Sequence, residues 1–378
     1  MKRFGLVFIV TLLTILTACG QAEETNQTEE ITGDNHQEKL TVMTTIYPLQ
    51  FFSSEIGGEF VEATSILPAG SDAHTYEPTS KEMIAIAGAD LFIYNEKQSE
   101  SYATKIEEAL ADESVIFLEA STGLDMITYL HDHAHEDPSH ADDHAHDDHG
   151  HADDHAHDDH GHADDHAHDD HGHADDHAHD DHGHADDHAH DDHSHEDDHG
   201  HSHGDYDAHV WLSPQLSIEL SKNILNELIA LMPEEEAYFT ANYDDLVARL
   251  EALDEAFATA LQEVPNKTIL VTHAAYNYWA RDYGIEQLAV TGLSPSNEPS
   301  QQQLIRLIDL VKERQIDTLL FEQNISSQVS EVIKDEAGLE TNELHNLATL
   351  RTEDIDNDED YFSLMARNLD VLVDVLSN

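Results

Sequence analysis

The feature that most constrains the fold is a repetitive stretch, residues 131–205, that offers almost nothing to a hydrophobic core. Its 11-residue unit, HADDHAHDDHG, contains alanine as the only apolar side chain, and its copies begin at His140, His151, His162, His173 and His184. An 11-residue period marks a supercoiled helix in some sequences, but such a helix needs an apolar face to bury. We therefore expect this stretch to be disordered without a ligand, with folded structure on both sides of it.

The same stretch, called the His/Asp tract below, carries most of the unusual composition of the chain. It holds 27 of the 32 histidines and 27 acidic residues, with no lysine or arginine, in a chain whose formal charge is -64. A surface that binds nucleic acid needs clustered basic side chains to neutralise phosphates, so nucleic acid is excluded as the main partner. Cations are the partner that this charge favours.

Histidines that lie one to three residues apart, beside aspartates, suit weak local chelation of Zn²⁺. Because the unperturbed pKa of imidazole is about 6.5, such binding is expected at neutral pH and lost at about pH 5. The alternative is that the tract is only a solvated spacer.

Residues 195–199 read HEDDH, which is the pattern of some zinc proteases. That pattern needs a helix packed into a core, and the surrounding acids, glycine and serine make the match accidental.

The amino-terminal residues predict export and attachment to a membrane. A basic start at 1–3 precedes a mostly apolar run at 4–16, which is too short to span about 30 Å of hydrocarbon. The run ends in LTACG, which resembles the lipobox of bacterial lipoproteins, so Cys19 is expected to carry a diacylglyceryl group. We predict a signal peptide at 1–18 and a flexible tether at 19–38, with the protein held at the outer face of the cell membrane.

Cys19 is the only cysteine, which excludes an intrachain disulfide and a cysteine-based zinc site.

Outside the tether and the His/Asp tract, short apolar runs alternate with amphipathic, helix-like stretches. This alternation predicts an α/β fold with two lobes, each a mainly parallel four-stranded sheet with helices on both faces. We assign residues 39–130 and 206–232 to the first lobe and residues 265–378 to the second. The strand-like runs lie at 40–46, 61–67, 91–94 and 115–118 in the first lobe, and at 268–272, 285–291, 318–321 and 340–344 in the second. Two lobes imply a cleft between them.

Residues 233–264 predict one long helix that joins the lobes. Pro233 followed by three glutamates is a helix-start signal, and the next residue that would break a helix is Pro265. Apolar side chains keep a helical spacing between these two prolines. About 30 residues at 1.5 Å each make a rod on the order of 45 Å long, which would join the lobes stiffly.

Only four histidines lie outside the tract and the tether: His74, His209, His273 and His345. Each falls just after a strand-like run or beside the boundary between the lobes. In open parallel sheets, ligands bind at the loops that follow the carboxyl ends of strands. Any one of these histidines alone would be read as an ordinary polar loop residue, but the four as a set predict one metal-binding pocket.

Several short motifs resemble those of a known family. They are, in chain order, His74 with YEPT at 76–79, DAHVWLSP at 207–214, HAAY at 273–276, YG at 283–284, GLSP at 292–295 and EPS at 298–300. Their order and spacing over residues 40–378 are similar to those of the zinc-binding lipoproteins that serve bacterial metal ABC importers as solute-binding subunits.

The resemblance implies three zinc ligands in the cleft: His74, His209 and His273. It leaves the fourth ligand open. Some relatives supply a carboxylate from the loop after the last strand, where this chain has Ala348, and others use water or a slightly earlier aspartate, where His345 stands. We therefore consider His345 or water as the fourth ligand. Glu322 matches an acid that is common in the family, and we expect it to orient a ligand histidine, with direct ligation as the lesser alternative.

The ligand types predict which metal is preferred. Three or four neutral imidazoles suit Zn²⁺ in tetrahedral geometry, whereas Mn²⁺ prefers more oxygen ligands. The resemblance implies a glutamate at the place of His273 in manganese-type relatives. His273 therefore favours zinc over manganese.

The resemblance implies that the chain is the solute-binding subunit of a high-affinity zinc importer. As a monomer, it would capture Zn²⁺ between its lobes and deliver it to an ABC permease and its ATPase, with the His/Asp tract as an antenna that gathers zinc. The alternatives are a manganese-binding importer subunit, a surface zinc buffer or adhesin, and a zinc hydrolase. No phosphate-cradling GxxxxGK, dinucleotide-binding GxGxxG or nucleophile GxSxG motif occurs, so we predict no enzymatic activity.

Overall fold

The computed structural model of the chain describes residues 39–128, 206–296, 298–323 and 328–377. The predicted signal peptide, the lipidation site Cys19, the tether and the His/Asp tract lie outside the described residues. Within the described part of the chain, no helix is both long and apolar enough to cross a membrane. The predicted strands and the linking helix all lie inside it.

The first lobe is a parallel four-stranded sheet with the strand order β2-β1-β3-β4. Its strands are β1 (Leu40–Thr44), β2 (Val61–Ser65), β3 (Leu91–Tyr94) and β4 (Ile116–Glu119). Its helices are α1 (Tyr47–Gly57), a 3-10 turn at Gly58–Phe60, α2 (Ser80–Ala87) and α3 (Ser101–Ala109). A second 3-10 turn at Val210–Leu212 leads from the far side of the His/Asp tract into α4 (Pro214–Leu231).

The second lobe repeats this topology, with the strand order β6-β5-β7-β8, again all parallel. Its strands are β5 (Thr268–His273), β6 (Glu286–Thr291), β7 (Thr318–Glu322) and β8 (Glu340–Leu344). Its helices are α6 (Asn277–Tyr283), α7 (Gln301–Glu313), α8 (Gln328–Ala337), α9 (Thr352–Asp356) and α10 (Tyr361–Leu376). The predicted fold class, two parallel α/β lobes, is confirmed.

The helix between the lobes is α5 (Glu236–Glu263), which has 28 residues and is preceded by a 3-10 turn at Pro233–Glu235. At 1.5 Å per residue it is about 42 Å long. Its buried side chains recur every three to seven residues along one face: Phe239, Leu246, Leu250, Leu253, Phe257 and Leu261. It contacts α1 and α4 in the first lobe and α6 and α10 in the second, so it joins the lobes as predicted.

Buried apolar side chains cover both faces of each sheet. They form one core that the two lobes share and two smaller clusters, one in each lobe. The shared core runs through both lobes and includes Val42 of β1, Leu250 of α5 and Val271 of β5. One smaller cluster lies under α2 and α3, and the other under α7 and α8. Strands buried on both faces explain the nearly continuous apolar runs in the sequence.

The loop that follows β8 holds the two lobes together at the carboxyl edges of their sheets. The Tyr47 N–H donates to the Ala348 carbonyl oxygen at 2.9 Å, and the Gly70 N–H donates to the Leu350 carbonyl oxygen at 2.9 Å. The Thr349 hydroxyl donates to the Ser71 carbonyl oxygen at 3.1 Å. These bonds place the loop that carries His74 against the second lobe.

Candidate metal centre

Three histidine rings from distant parts of the sequence meet between the lobes. The ring centroids of His74 and His209 are 5.4 Å apart, those of His74 and His273 are 5.3 Å apart, and those of His209 and His273 are 4.9 Å apart. One potential ligand nitrogen from each ring lies within 4.8 Å of the other two. The structure therefore brings together three of the four histidines that the sequence singled out.

His273 is the last residue of β5, and its ring is fully buried and held on both sides. Its Nδ1 lies 2.5 Å from Oε1 of Glu322, and its Nε2 lies 3.2 Å from the Leu293 carbonyl oxygen. Burial opposes protonation of this ring, but the charge of Glu322 and its hydrogen bond outweigh burial and raise the pKa of His273. Glu322 is the last residue of β7, and its other oxygen accepts a hydrogen bond from Nδ2 of Asn346 at 2.6 Å. Glu322 thus contacts a histidine of the group, as expected for an orienting acid.

His209 lies between the His/Asp tract and α4, and Asp207 fixes its ring. Asp207 Oδ1 lies 2.7 Å from Nδ1 of His209 and accepts the His209 backbone N–H at 3.0 Å. Asp207 is buried and is anchored in turn by Asn277 Nδ2 and the Tyr278 hydroxyl. With its Nδ1 proton donated to this carboxylate, His209 keeps a lone pair on Nε2, an atom that is buried without a hydrogen-bond partner.

His74 comes from the loop between β2 and α2. Asp72 shapes this loop, because its carboxylate accepts the His74 backbone N–H at 2.9 Å and the Thr75 hydroxyl at 3.0 Å. Gly70, with a φ of 76°, makes the turn that precedes it. Burial, followed by the neighbouring His273 and His209, holds the pKa of His74 well below its usual value. The ring is therefore neutral at pH 7 and has a lone pair for a cation.

His345 does not belong to this group, so the structure does not support its expected role as the fourth ligand. Both ring nitrogens have other partners: Nδ1 accepts the Leu347 N–H at 2.9 Å, and Nε2 lies 3.1 Å from Asp354 Oδ2. Burial lowers the pKa of His345 to about 4, with Asp354 opposing that shift. The ring supports the loop after β8, where Leu347 has a φ of 62°, an unusual value for a residue with a side chain.

A small cavity, partly open to solvent, lies beside His74 and leaves about 30 Å³ for the centres of water-sized molecules. Ala348 lines it, as do Asn95, Ala208, Trp211 and Asn346. Ala348 has no ligand atom, so the loop after β8 offers no carboxylate at the place where some relatives are expected to supply one. Of the three rings, only that of His74 lines this cavity, whose size suits a small ligand such as water.

Asp207 and Asn346 are parts of the site that the sequence analysis did not identify as functional. Asp207 stands two residues before His209, a spacing that lets a carboxylate accept both the backbone N–H and the ring N–H of the histidine. That local signal was available in the sequence. Asn346 gave no such signal, because its contact with Glu322 joins two different strand ends.

The set of donors suits a borderline-soft divalent cation. Buried carboxylates orient two of the three rings, and one buried nitrogen, Nε2 of His209, has no partner. Histidines whose other nitrogen donates to a carboxylate are the usual arrangement at zinc sites in proteins. Three ligands with a fourth position open match a zinc site that exchanges its ion or its water.

Two parallel α/β lobes joined by a long helix, with side chains from both lobes meeting between them, define a solute-binding protein. Residues 42–375 match the family described as "ZnuA: Zinc-uptake complex component A periplasmic". The chain belongs to that family.

Two curated relatives illustrate the similarity in sequence. The "High-affinity zinc uptake system protein ZnuA" of Bacillus subtilis is 29% identical over 375 residues, which cover 99% of this chain and 98% of the relative. The "Zinc-binding lipoprotein AdcA" of Streptococcus pneumoniae serotype 4 is 29% identical over 376 residues, which cover 98% of this chain. The match spans only 60% of the length of AdcA.

Solved structures show the same fold. The Zn(II)-bound ZnuA-like domain of Streptococcus pneumoniae AdcA aligns with a TM-score of 0.62 at 28% identity, covering 90% of this chain and 100% of that domain. The AdcAII protein of the same species aligns with a TM-score of 0.65 at 22% identity, covering 90% of this chain and 99% of AdcAII. The second alignment is evidence for the fold alone.

Proposed function

We propose that this chain is the solute-binding subunit of a zinc import system and that it binds Zn²⁺ through His74, His209 and His273. The observation that carries the proposal is the convergence of three ligand nitrogens, from three separate segments, within 4.8 Å of one another. An unpaired buried nitrogen is costly unless an ion or water satisfies it, and Nε2 of His209 is such an atom. A cation between the rings removes that cost.

The donor set supports zinc rather than manganese as the cargo. The three ligand groups are imidazoles, and the nearest buried carboxylates, Asp207 and Glu322, are already engaged with ring nitrogens. Imidazole suits Zn²⁺ at about 2.0 to 2.1 Å, whereas Mn²⁺ prefers oxygen ligands. The family relationship and the names of the relatives agree with this choice.

For the fourth ligand we propose water from the cavity beside His74. His345 is engaged elsewhere, and Ala348 has no ligand atom. The same argument favours transport over hydrolysis, since the engaged carboxylates Asp207 and Glu322 are poorly placed to deprotonate that water. We propose that the chain performs no covalent chemistry.

The route of the zinc ion follows from the proposed anchor and partners. Cys19 would hold the protein at the outer face of the membrane, and an ABC permease with its ATPase would accept the cargo. Only a difference in affinity between two conformations can release a tightly bound ion, so the permease must favour a conformation that binds zinc less well. The continuous α5 favours small tilts of the lobes and local rearrangement of the His74 loop over a wide hinge motion.

The His/Asp tract would act as a zinc-gathering antenna. Because the tract is joined to the folded chain on both sides, its sites would stay near the cleft at an effective concentration on the order of 1 mM. Many weak sites close to one tight site would raise the rate of capture when zinc is scarce.

The test is a competition titration of the purified full-length chain against a fluorescent zinc chelator of nanomolar affinity. We expect one tight site that His273→Ala weakens by at least 100-fold, and we expect excess Mn²⁺ not to displace the bound Zn²⁺. A matched control is His345→Ala, which removes a buried histidine outside the group. Tighter binding of Mn²⁺, or an unchanged tight site in His273→Ala, would contradict the proposal.

A further inference from the structure

Asn95 is a buried polar residue in the wall of the cavity beside His74. It comes directly after β3, at the carboxyl edge of the first sheet, and is only 1% exposed. Its backbone is held on both sides, because its N–H donates to Glu100 Oε2 at 2.6 Å and its carbonyl oxygen accepts the Ser121 hydroxyl at 2.7 Å. The position from which the side chain extends is therefore fixed.

One hydrogen bond fixes which way the Asn95 amide points. Its Nδ2 donates to the Ala208 carbonyl oxygen at 2.7 Å. A carbonyl oxygen can only accept, so this bond decides which end of the amide is nitrogen. Ala208 lies between Asp207 and His209, so Asn95 also holds the segment that supplies a zinc ligand. The other end of the amide, Oδ1, is buried without a hydrogen-bond partner.

The other buried polar side chains of the cavity wall already have partners. Gln323 follows β7 as Asn95 follows β3, and both ends of its amide bind Asn346: Nε2 donates to Oδ1 at 2.7 Å, and Oε1 accepts the backbone N–H at 2.9 Å. Glu100 accepts the Thr45 hydroxyl at 3.1 Å in addition to the Asn95 N–H. Among the described residues that line the cavity, Asn95 Oδ1 is the only buried side-chain polar atom without a partner.

The chemistry of Oδ1 defines what can satisfy it. A buried acceptor without a partner costs free energy, and only a ligand that carries a hydrogen can remove that cost. The cavity is large enough for water, and the ring of His74 lines the same wall. A water bound to Zn²⁺ loses its proton more readily than free water, which makes it a strong hydrogen-bond donor. Asn95 and His74 thus offer an acceptor and a metal ligand on one small space.

We propose that Asn95 Oδ1 accepts a hydrogen bond from the water that completes the coordination of Zn²⁺, and that Asn95 thereby selects water over anions as the fourth ligand. An amide oxygen stabilises a ligand that has a hydrogen to donate and repels a bare anion such as chloride or azide. Any anion in the surroundings would otherwise compete for the open position. Asn95 acts as a positioning residue that does not touch the metal. This inference rests on the proposed function, including water as the fourth ligand.

The test is a titration of the cobalt-loaded protein with azide. Co²⁺ accepts the same kinds of ligand as Zn²⁺ and reports a change of ligand in its visible absorption. One equivalent of Co²⁺ is added to the full-length chain, so that a tight site fills before any weak sites of the His/Asp tract. Azide that displaces the water then changes the spectrum, and the midpoint of the titration gives the affinity of the fourth position for an anion.

Two substitutions of Asn95 should change this affinity in opposite directions. Asn95→Leu removes the acceptor at similar size, and we expect azide to bind at least 10-fold more tightly than in the unchanged chain. Asn95→Asp places a negative charge there, and we expect azide to bind at least 10-fold more weakly. Both variants lose the bond to Ala208, so that loss cannot explain opposite effects. The matched control is Ser99→Ala, in the same cavity wall, whose hydroxyl is bonded to the Glu96 carbonyl oxygen; it should stay within twofold.

Azide affinities of Asn95→Leu and Asn95→Asp that equal that of the unchanged chain would overturn the role of Asn95, and tight zinc binding by the unchanged chain would still support the proposed function. If the unchanged chain binds neither Zn²⁺ nor Co²⁺ tightly, the proposed function fails and this inference fails with it.

A second measurement needs no variant. Crystals of the zinc-loaded chain should show a water bonded to the metal and within about 3.2 Å of Asn95 Oδ1. A protein side chain at the fourth position, or an Oδ1 bonded to another group, would overturn the inference.

Discussion

At the scale of single residues, the metal centre depends on side chains that hold the histidines as much as on the histidines themselves. Asp207 fixes the tautomer of His209, and Glu322 fixes the ring of His273. Asn346 in turn holds Glu322, and Trp211 Nε1 donates to the Asn346 carbonyl oxygen at 2.7 Å. Each of these side chains comes from a different strand end or loop. The site is therefore assembled by the fold and is not a local motif.

Glu322→Gln should weaken zinc binding by about 10- to 100-fold, the usual effect of removing a carboxylate that supports a ligand histidine. Glutamine keeps the shape of the side chain but loses the charge that strengthens the imidazole as a donor. The measurement is the chelator competition titration, and Glu286→Gln, an exposed acid of β6 that pairs with Arg314, is the control. Equal zinc affinity in the two variants would show that Glu322 does not support the site.

His345→Gln should leave zinc affinity within about threefold of the original and should change stability instead. In the folded chain the His345 pKa is about 4, below its value of about 6.5 in an unfolded chain. The unfolded state therefore takes up a proton first, so this residue destabilises the fold as the pH falls from about 6.5 towards 4, by on the order of 3 kcal/mol. Urea unfolding between pH 7 and about pH 4 should show a shallower loss of stability in His345→Gln. A loss of tight zinc binding would restore His345 as a ligand.

At the scale of secondary-structure elements, α5 is both a spacer and part of the core. Its buried face contacts helices of both lobes, so the lobes share one core along its length. Another link is the loop after β8, whose backbone and Thr349 hydroxyl bind Tyr47 at the start of α1 and the loop that carries Gly70 and Ser71. A long helix and one hydrogen-bonded loop together limit how far the lobes can separate.

Leu250→Ala in α5 should lower the free energy of unfolding by about 2 to 5 kcal/mol, because Leu250 is fully buried in the shared core. Glu251→Ala, at the neighbouring exposed position, should change it by less than about 0.5 kcal/mol. Urea denaturation of the zinc-free protein measures both. Similar midpoints for the two variants would mean that α5 does not carry the core that links the lobes.

The sequence predicted most of the elements and singled out the three histidines that the structure brings together. All eight strands were predicted within two residues of their observed ends, because strands buried on both faces leave nearly continuous apolar runs. The predicted β1 and β2 runs were two residues too long. After Thr44 the chain turns so that Ile46 can precede the first turn of α1, and its buried side chain still reads as part of a strand.

The fourth ligand was the part of the site that sequence reasoning could not settle. His345 follows the end of a strand just as His273 ends one, so the two looked alike in the sequence. The difference is tertiary: Asp354 and the Leu347 N–H occupy the nitrogens of His345, and both contacts depend on how the loop after β8 folds back. The role of Asn346 was likewise visible only once the strands were set side by side.

At the scale of the whole molecule, we propose that zinc binding is divided between one tight site and many weak ones. The tight site would be formed by the folded lobes, and the weak ones by the His/Asp tract, which has almost no apolar side chains. The tract brings 27 of the 80 acidic residues and no basic residue, and this negative charge attracts cations from solution. The folded lobes would supply the selectivity, because only they fix the geometry of the ligands.

Deletion of residues 131–203 should leave the tight site unchanged and remove the additional, weakly bound zinc. Zinc uptake by cells should become slower when zinc is scarce and stay normal when it is abundant. In the full chain, the extra zinc should be released between pH 7 and about pH 5, as imidazoles of the tract gain protons. Equilibrium dialysis measures the stoichiometry at each pH. Loss of the tight site on deletion would refute this division.

The central claim is that three imidazoles from distant segments bind one zinc ion between the lobes. The most direct measurement is X-ray diffraction from zinc-loaded crystals at wavelengths just above and just below the zinc absorption edge. We expect one strong anomalous peak, from a zinc ion bonded to ring nitrogens of His74, His209 and His273, including Nε2 of His209. A principal peak at another place in the folded lobes, or no peak among these three rings, would contradict it.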